Sequence, residues 1–287
     1  MELHKEVKIM TYNIGNCLYG RNANNNSYMT FSRKKINSNI KGQLSQIKKY
    51  DPDILLLQEI GTSSLSNTLK NIYKKYRIEL KKYKSKYYNN YNILQIFNNG
   101  KATFIKKYSQ NQKIKIPFKV RGILNNIFCS NKVQILTRIK ISDTKKELII
   151  INIHLTAYKK NHIERIKQLN YILDIAKKEL DKGNYVVIGG DWNIDLFSET
   201  NKLNLPSEII KKINNDNWTM NAKGKTLKYE GKLLKDDKTY DGFLTSKNIV
   251  VTKLKSYEQF DYSDHSPVTM TIKLNEESMG ESKCKKV

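Results

Sequence analysis

A carboxylate and a carboxamide stand two residues apart at Asp191 and Asn193, directly after the run Tyr185-Val-Val-Ile-Gly-Gly. The carboxylate can take a proton, and the amide can donate hydrogen bonds without adding charge. At the exposed end of a buried strand, this pair suits metal-assisted attack on a phosphate better than it suits packing. Gly, Asp and Asn are also turn formers, so the stretch by itself is equally readable as a turn. The pattern recurs, however. An apolar run stops on an amide, a carboxylate or an imidazole at Asn13, at Glu59, at His154, at Asp241 and at the pair Asp264 and His265. The chain has only 4 histidines, and two of them occupy these places. Each residue alone has a structural account; their recurrence at strand ends is harder to explain that way.

The elements that must position these groups can be read from hydrophobic period. Val7 to Tyr12 alternates and ends in Asn13, and Ile54 to Leu57 is a short apolar run ending in Gln58-Glu59, so both read as strands. Between them Ile36, Ile40, Leu44 and Ile47 form a helical stripe from Lys35, which Asp51-Pro52-Asp53 stops. Ser64 to Tyr76 reads as a second helix with Leu65, Leu69, Ile72 and Tyr73 inward. Residues 77 to 131 give short strands, among them Tyr91 to Phe97, Ala102 to Ile105 and Ile114 to Val120. The interleaved Lys and Tyr of Lys81 to Tyr91 fit base stacking with phosphate contacts, or a solvated loop. Val133 to Ile141 and Glu147 to Leu155 form a strand pair. Asn161 and Glu164 have capping-box spacing ahead of Ile166, Leu169, Leu173, Ala176 and Leu180, and Gly183 closes that helix. Gly189 and Gly190 are expected to end the Val186–Ile188 strand and to let a ligand approach. Pro206 to Ile213 reads as a short helix, and Lys238 to Ser246, Val250 to Tyr257 and Val268 to Leu274 read as strands.

Composition narrows the class. The 287 residues carry a formal net charge of +25, which fits a polyanionic substrate. The lysines are spread along the chain and far outnumber the arginines, in the Lys-, Asn- and Ile-rich style of an AT-rich genome, so the charge supports an anionic substrate only weakly. No stretch has the apolar length of a membrane span, and the first residues lack the basic and apolar regions of a signal peptide. Cys17, Cys129 and Cys284 form neither a zinc pattern nor a disulfide framework, which fits a reducing, cytoplasmic setting. The expected organisation is one domain over residues 1–275 followed by a polar tail, 276–287, with the protein acting as a monomer.

Five segments carry a resemblance: Met10-Thr11-Tyr12-Asn13, Leu57-Gln58-Glu59, Asn152-Ile153-His154-Leu155, Gly190-Asp191-Trp192-Asn193 and Ser263-Asp264-His265. In this order they resemble the motifs of the endonuclease/exonuclease/phosphatase superfamily, which includes deoxyribonuclease I, abasic-site endonucleases, sphingomyelinases and inositol-polyphosphate 5-phosphatases. The resemblance runs from about residue 7 to 274. It implies an α/β (α+β) fold, a four-layer αββα sandwich of two mixed β-sheets flanked by helices. It further implies that Glu59, helped by Asn13, binds Mg²⁺ or Mn²⁺, and that Asp191 orients or deprotonates the attacking water. Asn193 then holds a phosphate oxygen, His154 and His265 donate to the phosphate, Asp241 orients His265, and Asp264 helps a second metal or holds the site together.

Some positions depart from the family's pattern. Trp192 stands where Phe is usual, and Tyr240-Asp241-Gly242-Phe243 differs from the usual Ile-Asp-His/Tyr, which weakens the assignment of Asp241. Tyr87, Tyr88 and Tyr91 lie where some of the nucleases bring a tyrosine to the phosphate, without a motif to choose among them. The segment Asn98 to Phe104 resembles a Gly-x-Ala-Thr-Phe-Ser segment of bacterial members, and its Lys101 is expected to reach a substrate phosphate. The function implied is metal-dependent hydrolysis of phosphate esters, with nucleic acid (DNA or RNA) as the expected substrate. The alternative is a small-molecule or lipid phosphate, such as a phospholipid head group or inositol phosphate. A binding module without activity is a third reading, against which stands the retention of every candidate group.

Overall fold

The run Ile54-Leu55-Leu56-Leu57 is apolar at every position because both faces of its strand are covered. In a computed structural model, which describes residues 6–21, 27–29, 32–62, 72–90, 98–106, 110–115, 133–142, 144–157, 162–197, 202–228 and 238–275, Leu55 and Leu57 pack under helices while Ile54 and Leu56 face a second sheet.

The described elements are, in order, β1 (Val7–Asn13), a 3₁₀ turn (Gly15–Cys17), β2 (Tyr19–Arg21), β3 (Ser27–Met29), α1 (Arg33–Tyr50), β4 (Ile54–Thr62), α2 (Ile72–Glu79), β5 (Lys84–Asn90), β6 (Asn98–Ile105), β7 (Gln110–Lys115), β8 (Val133–Lys140), β9 (Glu147–His154), α3 (His162–Asp181), β10 (Tyr185–Asp191), α4 (Ser207–Asn215), β11 (Thr219–Asn221), β12 (Asp241–Thr245), β13 (Ile249–Ser256) and β14 (Val268–Leu274). One sheet has the order β13-β14-β1-β4-β6-β5, the other β11-β12-β10-β9-β8-β7, and β2-β3 form a small ribbon. Only β1/β4 and β9/β10 pair in parallel, so both sheets are mixed.

Three apolar clusters define four layers, as the sequence implied. Ile36, Ile40, Leu44 and Ile47 of α1, with Ile72 and Tyr76 of α2, cover Met10, Tyr12, Leu57 and Phe104 on the outside of the first sheet. Leu169, Ile172 and Ala176 of α3, with Ile209 and Ile213 of α4, cover Ile149, Ile151, Val186 and Ile188 on the outside of the second. Between the sheets lie Ile9, Leu56, Ile105, Met270 and Ile272 against Leu148, Ile150, Val187 and Phe243. Strand alternation produces this division, since successive side chains point to opposite faces. Helix α1 ends where Asp51 turns left-handed at φ 44, and Pro52 next to it disfavours the α conformation there.

Several boundaries differ from those read in the sequence. The described part of the second helix is Ile72–Glu79, with Ile72 and Tyr76 buried; Leu65 and Leu69 lie outside the described residues, as do Tyr91 to Phe97, residues 116–120, Asn161 and the tail from 276. Lys81 to Tyr91 is not a loop throughout, because Lys84–Asn90 forms the edge strand β5. The strand around Asp241 begins at Asp241 itself: the preceding Thr239 donates its N–H to Asp195 Oδ1 at 3.2 Å and so leaves the ladder. Among the described residues no helix is long and apolar enough to cross a membrane.

Candidate active site

The strand ends gather at one edge of the sandwich. Asn13, His154 and Asp191 are the last residues of β1, β9 and β10, while Asp241 is the first of β12 and Asp264-His265 precede β14. In antiparallel neighbours a strand's start lies at the same edge as its partner's end, and the β10/β12 register pairs Asp191 with Asp241 directly. Glu59 is different. It lies within β4, not at its end, where the register with β6 slips between Leu57 and Ile60, and its φ is 51°. That is a β-bulge, and it re-aims the carboxylate toward the site.

The glycines before Asp191 play another part than the one expected from sequence. β10 continues through them to Asp191. Gly190 has φ 148°, and a Cβ there would lie 2.0 Å from Ile153 O, so glycine is required by contact with the neighbouring strand. A Cβ at Gly189 would strike Phe243 and approach Leu56 across the inter-sheet core. Close packing, against backbone at Gly190 and against core side chains at Gly189, explains both.

Asp191 Oδ2 is the focus of the site. Asn13 Nδ2 donates to it at 2.9 Å and also to Glu59 Oε1 at 3.2 Å. His154 Nε2 stands 3.5 Å from Asp191 Oδ2 and 3.7 Å from Glu59 Oε1, and His265 Nε2 stands 3.7 Å from Asp191 Oδ2. On the other ring nitrogen, His265 Nδ1 donates to Asp241 Oδ2 at 2.7 Å. The backbone N–H of Asn193 donates to Asp191 Oδ1 at 2.8 Å, and Asn193 Nδ2 donates to Leu155 O at 2.9 Å. Asn193 thus ties the loop after β10 to the one after β9, in a left-handed conformation with φ 50°.

Electrostatics separates the members of this cluster. Burial raises the Asp191 carboxyl to about 7; His265 opposes the rise and Asp241 adds to it. Burial by itself would lower the His265 imidazole, but Asp241, Asp191 and Asp264 outweigh it and raise it well above the usual range. The site therefore holds a weakly acidic carboxyl beside an imidazolium, an assignment suited to proton transfer.

The structure brings together Asn13, Glu59, His154, Asp191, Asn193, Asp241 and His265. Asp264 flanks them: its Oδ1 stands 3.2 Å from Ser263 Oγ, and it lies against Gly15. Lys101 sits on β6 opposite the Glu59 bulge and is 1% exposed. It shares a face with Thr103 and Ile105, which turn toward the second sheet, so it is a buried lysine and not a surface one. Of the tyrosines considered, Tyr87 stacks on Tyr73 and donates to Ile60 O at 3.2 Å, which supports the bulge. Trp192 is fully buried in the outer core and donates to Gly242 O at 3.2 Å, a packing role that Phe would also fill.

Several positioning residues have no role assigned from the sequence, two of them inside its motifs. Asn16 Nδ2 donates to Glu59 Oε2 at 3.1 Å. Gln58 Nε2 donates to Asn152 Oδ1 at 2.9 Å and thereby links the two sheets beneath the site. Thr156, two residues past His154, is clamped by α3: Arg165 donates to its carbonyl at 2.8 Å, and Gln168 serves its N–H at 3.0 Å and its hydroxyl at 2.7 Å. Ser263, a motif residue without an assigned role, donates to Asn13 O at 2.8 Å and joins the first and last motifs. Only three-dimensional proximity reveals these partners.

The donor set fits a hard divalent cation. Glu59 presents both carboxylate oxygens, its side chain is 25% exposed, and Asn16 Oδ1 beside it is a buried oxygen with no hydrogen-bond partner among the described residues. One oxygen or nitrogen each from Asp191, Asp241 and His265 also lie within 4.8 Å of one another. Asp241 Oδ1 is buried with no hydrogen-bond partner among the described residues, and His265 Nε2 faces Asp191, so this group is a second candidate cation position beside Glu59.

Known structures share the architecture. An endonuclease/exonuclease/phosphatase from Beutenbergia cavernae superposes with a TM-score of 0.71 at 14% identity, covering 94% of this chain and 72% of that one. The human Nocturnin catalytic domain with bound sulfate gives 0.63 at 15% identity, over 96% of this chain and 97% of that one. TDP2 from D. rerio complexed with a single-strand DNA product gives 0.61 at 16% identity, over 93% and 99%. A search of curated proteins found no match. The family model described as "Endonuclease/Exonuclease/phosphatase family 2" matches residues 10–244, a span that holds Asn13, Glu59, His154, Asp191, Asn193 and Asp241, and the chain belongs to that family.

Proposed function

We propose that this protein is a divalent-metal-dependent phosphodiesterase acting on nucleic acid, DNA in the first place and RNA in the second. The observation that carries the reading is the convergence on Asp191 Oδ2 of Asn13 at 2.9 Å, His154 at 3.5 Å and His265 at 3.7 Å, in a carboxyl that burial has made a weak acid. Asp191 takes the proton of the attacking water, since a base titrating near neutrality combines availability with driving force. His154 and His265 donate to the non-bridging oxygens as charge grows there, and Asp241 holds the His265 ring in the orientation that points Nε2 at the phosphate. Asn193 adds a neutral donor while fixing Asp191. Glu59, Asn13 and Asn16 would hold the metal, with Asp264 at the margin; Mg²⁺ or Mn²⁺ there supplies Lewis-acid polarisation of a phosphate oxygen.

Nucleic acid is favoured over smaller esters by the likeness to TDP2 bound to a DNA product and, weakly, by the net charge of +25. Incubation of the purified protein with plasmid DNA, single-stranded DNA and RNA, with Mg²⁺ and with EDTA, tests the reading. Metal-dependent cleavage that EDTA and Asp191→Asn both abolish is expected. Cleavage of a small phosphodiester with all three nucleic acids intact would move the substrate to the small or lipid esters. Cleavage that survives EDTA would overturn the metal assignment.

A further inference from the structure

Between β11 and β12 the segment from Gly224 to Lys228 contributes no candidate acid, base or metal ligand, yet it touches both arms of the His265–Asp241 pair. Thr226 is fully buried. Its hydroxyl oxygen accepts the backbone N–H of Tyr240 at 2.8 Å and that of Asp241 at 2.9 Å. Its carbonyl accepts Ser266 N–H at 2.7 Å, and two residues on, Lys228 N–H donates to Asp264 O at 2.9 Å. Leu227 makes isolated antiparallel bridges to His265 on one side and Lys238 on the other. One residue thus fixes the start of β12, which carries Asp241, relative to the loop ahead of β14, which carries His265.

We propose that Thr226 is a positioning residue that sets the distance between Asp241 and His265. A hydroxyl oxygen has two acceptor sites, and both are used here on successive N–H groups. No aliphatic side chain of similar shape can replace them. The consequence reaches Trp192 as well, because its N–H donates to Tyr240 O at 2.9 Å, so the Asp191 loop leans on the same turn. Thr226 has no contact with the reacting atoms; it acts through Asp241. The kinetic part of this inference rests on the hydrolase reading, whereas its structural part does not.

Proton NMR of the protein as it stands provides the test, helped by a chain with only 4 histidines. A short imidazole–carboxylate hydrogen bond gives a slowly exchanging, strongly downfield Nδ1 proton, assignable to His265 by its loss in His265→Gln. Thr226→Val is expected to shift or abolish that proton and to lower kcat by about ten- to a hundredfold, the range a misplaced catalytic pair produces, with KM changed less. Thr226→Ser keeps the hydroxyl and is expected to restore both. Should Thr226→Val not fold, Thr226→Ala is read in the same way. A folded variant lacking the hydroxyl that keeps the downfield proton, or a Ser variant that loses it as Val does, overturns the inference. If the wild-type protein turns over no phosphate ester, the hydrolase reading fails, and the proton alone still decides the role of Thr226.

Discussion

Two buried carboxylates, one on β10 of the second sheet and one on the helix packed over it, lie at opposite ends of the sheet and have opposite fates. Near the start of β9, Glu179 of α3 accepts Arg138 on both oxygens, at 2.9 and 2.6 Å, together with Lys182 at 2.8 Å and Asn184 at 2.9 Å. Burial pushes this carboxyl up, but the hydrogen bonds and charge of Arg138 and Lys182 win, and it is held at about 2. Near the end of β9, Asp191 is buried at 1% exposure, with amide and imidazole neighbours and a second carboxylate, and it rises to about 7. Burial is shared; the difference is the guanidinium. A buried acid given a bidentate cation is a clamp that stays ionised. A buried acid without one remains able to gain and lose a proton near neutrality, which is what a general base needs.

The comparison can be broken at either end. At the site, Asp191→Asn or His265→Ala is expected to cut turnover by at least about 10²-fold with the fold retained, measured as steady-state cleavage and circular dichroism. Near-wild-type rates in either variant would remove that residue from its role. At the clamp, Arg138→Met leaves Glu179 with only Lys182 and Asn184 and is expected to cost about 3 kcal/mol in chemical denaturation, while turnover at a permissive temperature changes less than about threefold. A catalytic loss as large as that of Asp191→Asn would erase the distinction.

Linkage sharpens the contrast. Asp191 and His265 both have folded values above their unfolded ones, so the metal-free native state binds more protons than the unfolded chain. Their contribution to stability is therefore fully present at low pH and is lost as pH rises, for Asp191 between about 4 and about 7. Asp191→Asn mimics the neutral form. It is expected to raise metal-free stability at pH 8 by on the order of 1 kcal/mol relative to its effect at pH 5, read from urea midpoints. Glu179 has the reverse sign: its contribution is present above the usual Glu value and disappears as pH falls toward about 2. Smallest is the effect on catalysis of pH itself. The rate is expected to fall on the acid side at or below about pH 7, because a bound cation lowers the Asp191 value further.

Much of this was legible in residue order. The apolar runs before Asn13, His154 and Asp191 announce strands, and the β14 span, Val268–Leu274, matches its reading to the residue. The four-residue spacing of Ile36, Ile40, Leu44 and, one short, Ile47 announces α1. Other features depend on neighbours distant in sequence. The Glu59 bulge is hidden because Ile60 resumes the apolar pattern on schedule, and only the β6 partner reveals the slipped register. The need for Gly190 comes from Ile153 O on another strand. Thr226, Arg165 and Gln168 sit in unremarkable local sequence and acquire their roles from hydrogen bonds spanning 9 to 15 residues.

The most direct test of the account is a carboxyl titration in one sample. With ¹³C-labelled Asp and Glu side chains in metal-free protein, the Asp191 resonance, assigned by Asp191→Asn, is expected to titrate near 7, and that of Glu179 near 2. An Asp191 carboxyl titrating in the ordinary range of about 4 would contradict the claim that this site holds a base poised for neutral pH.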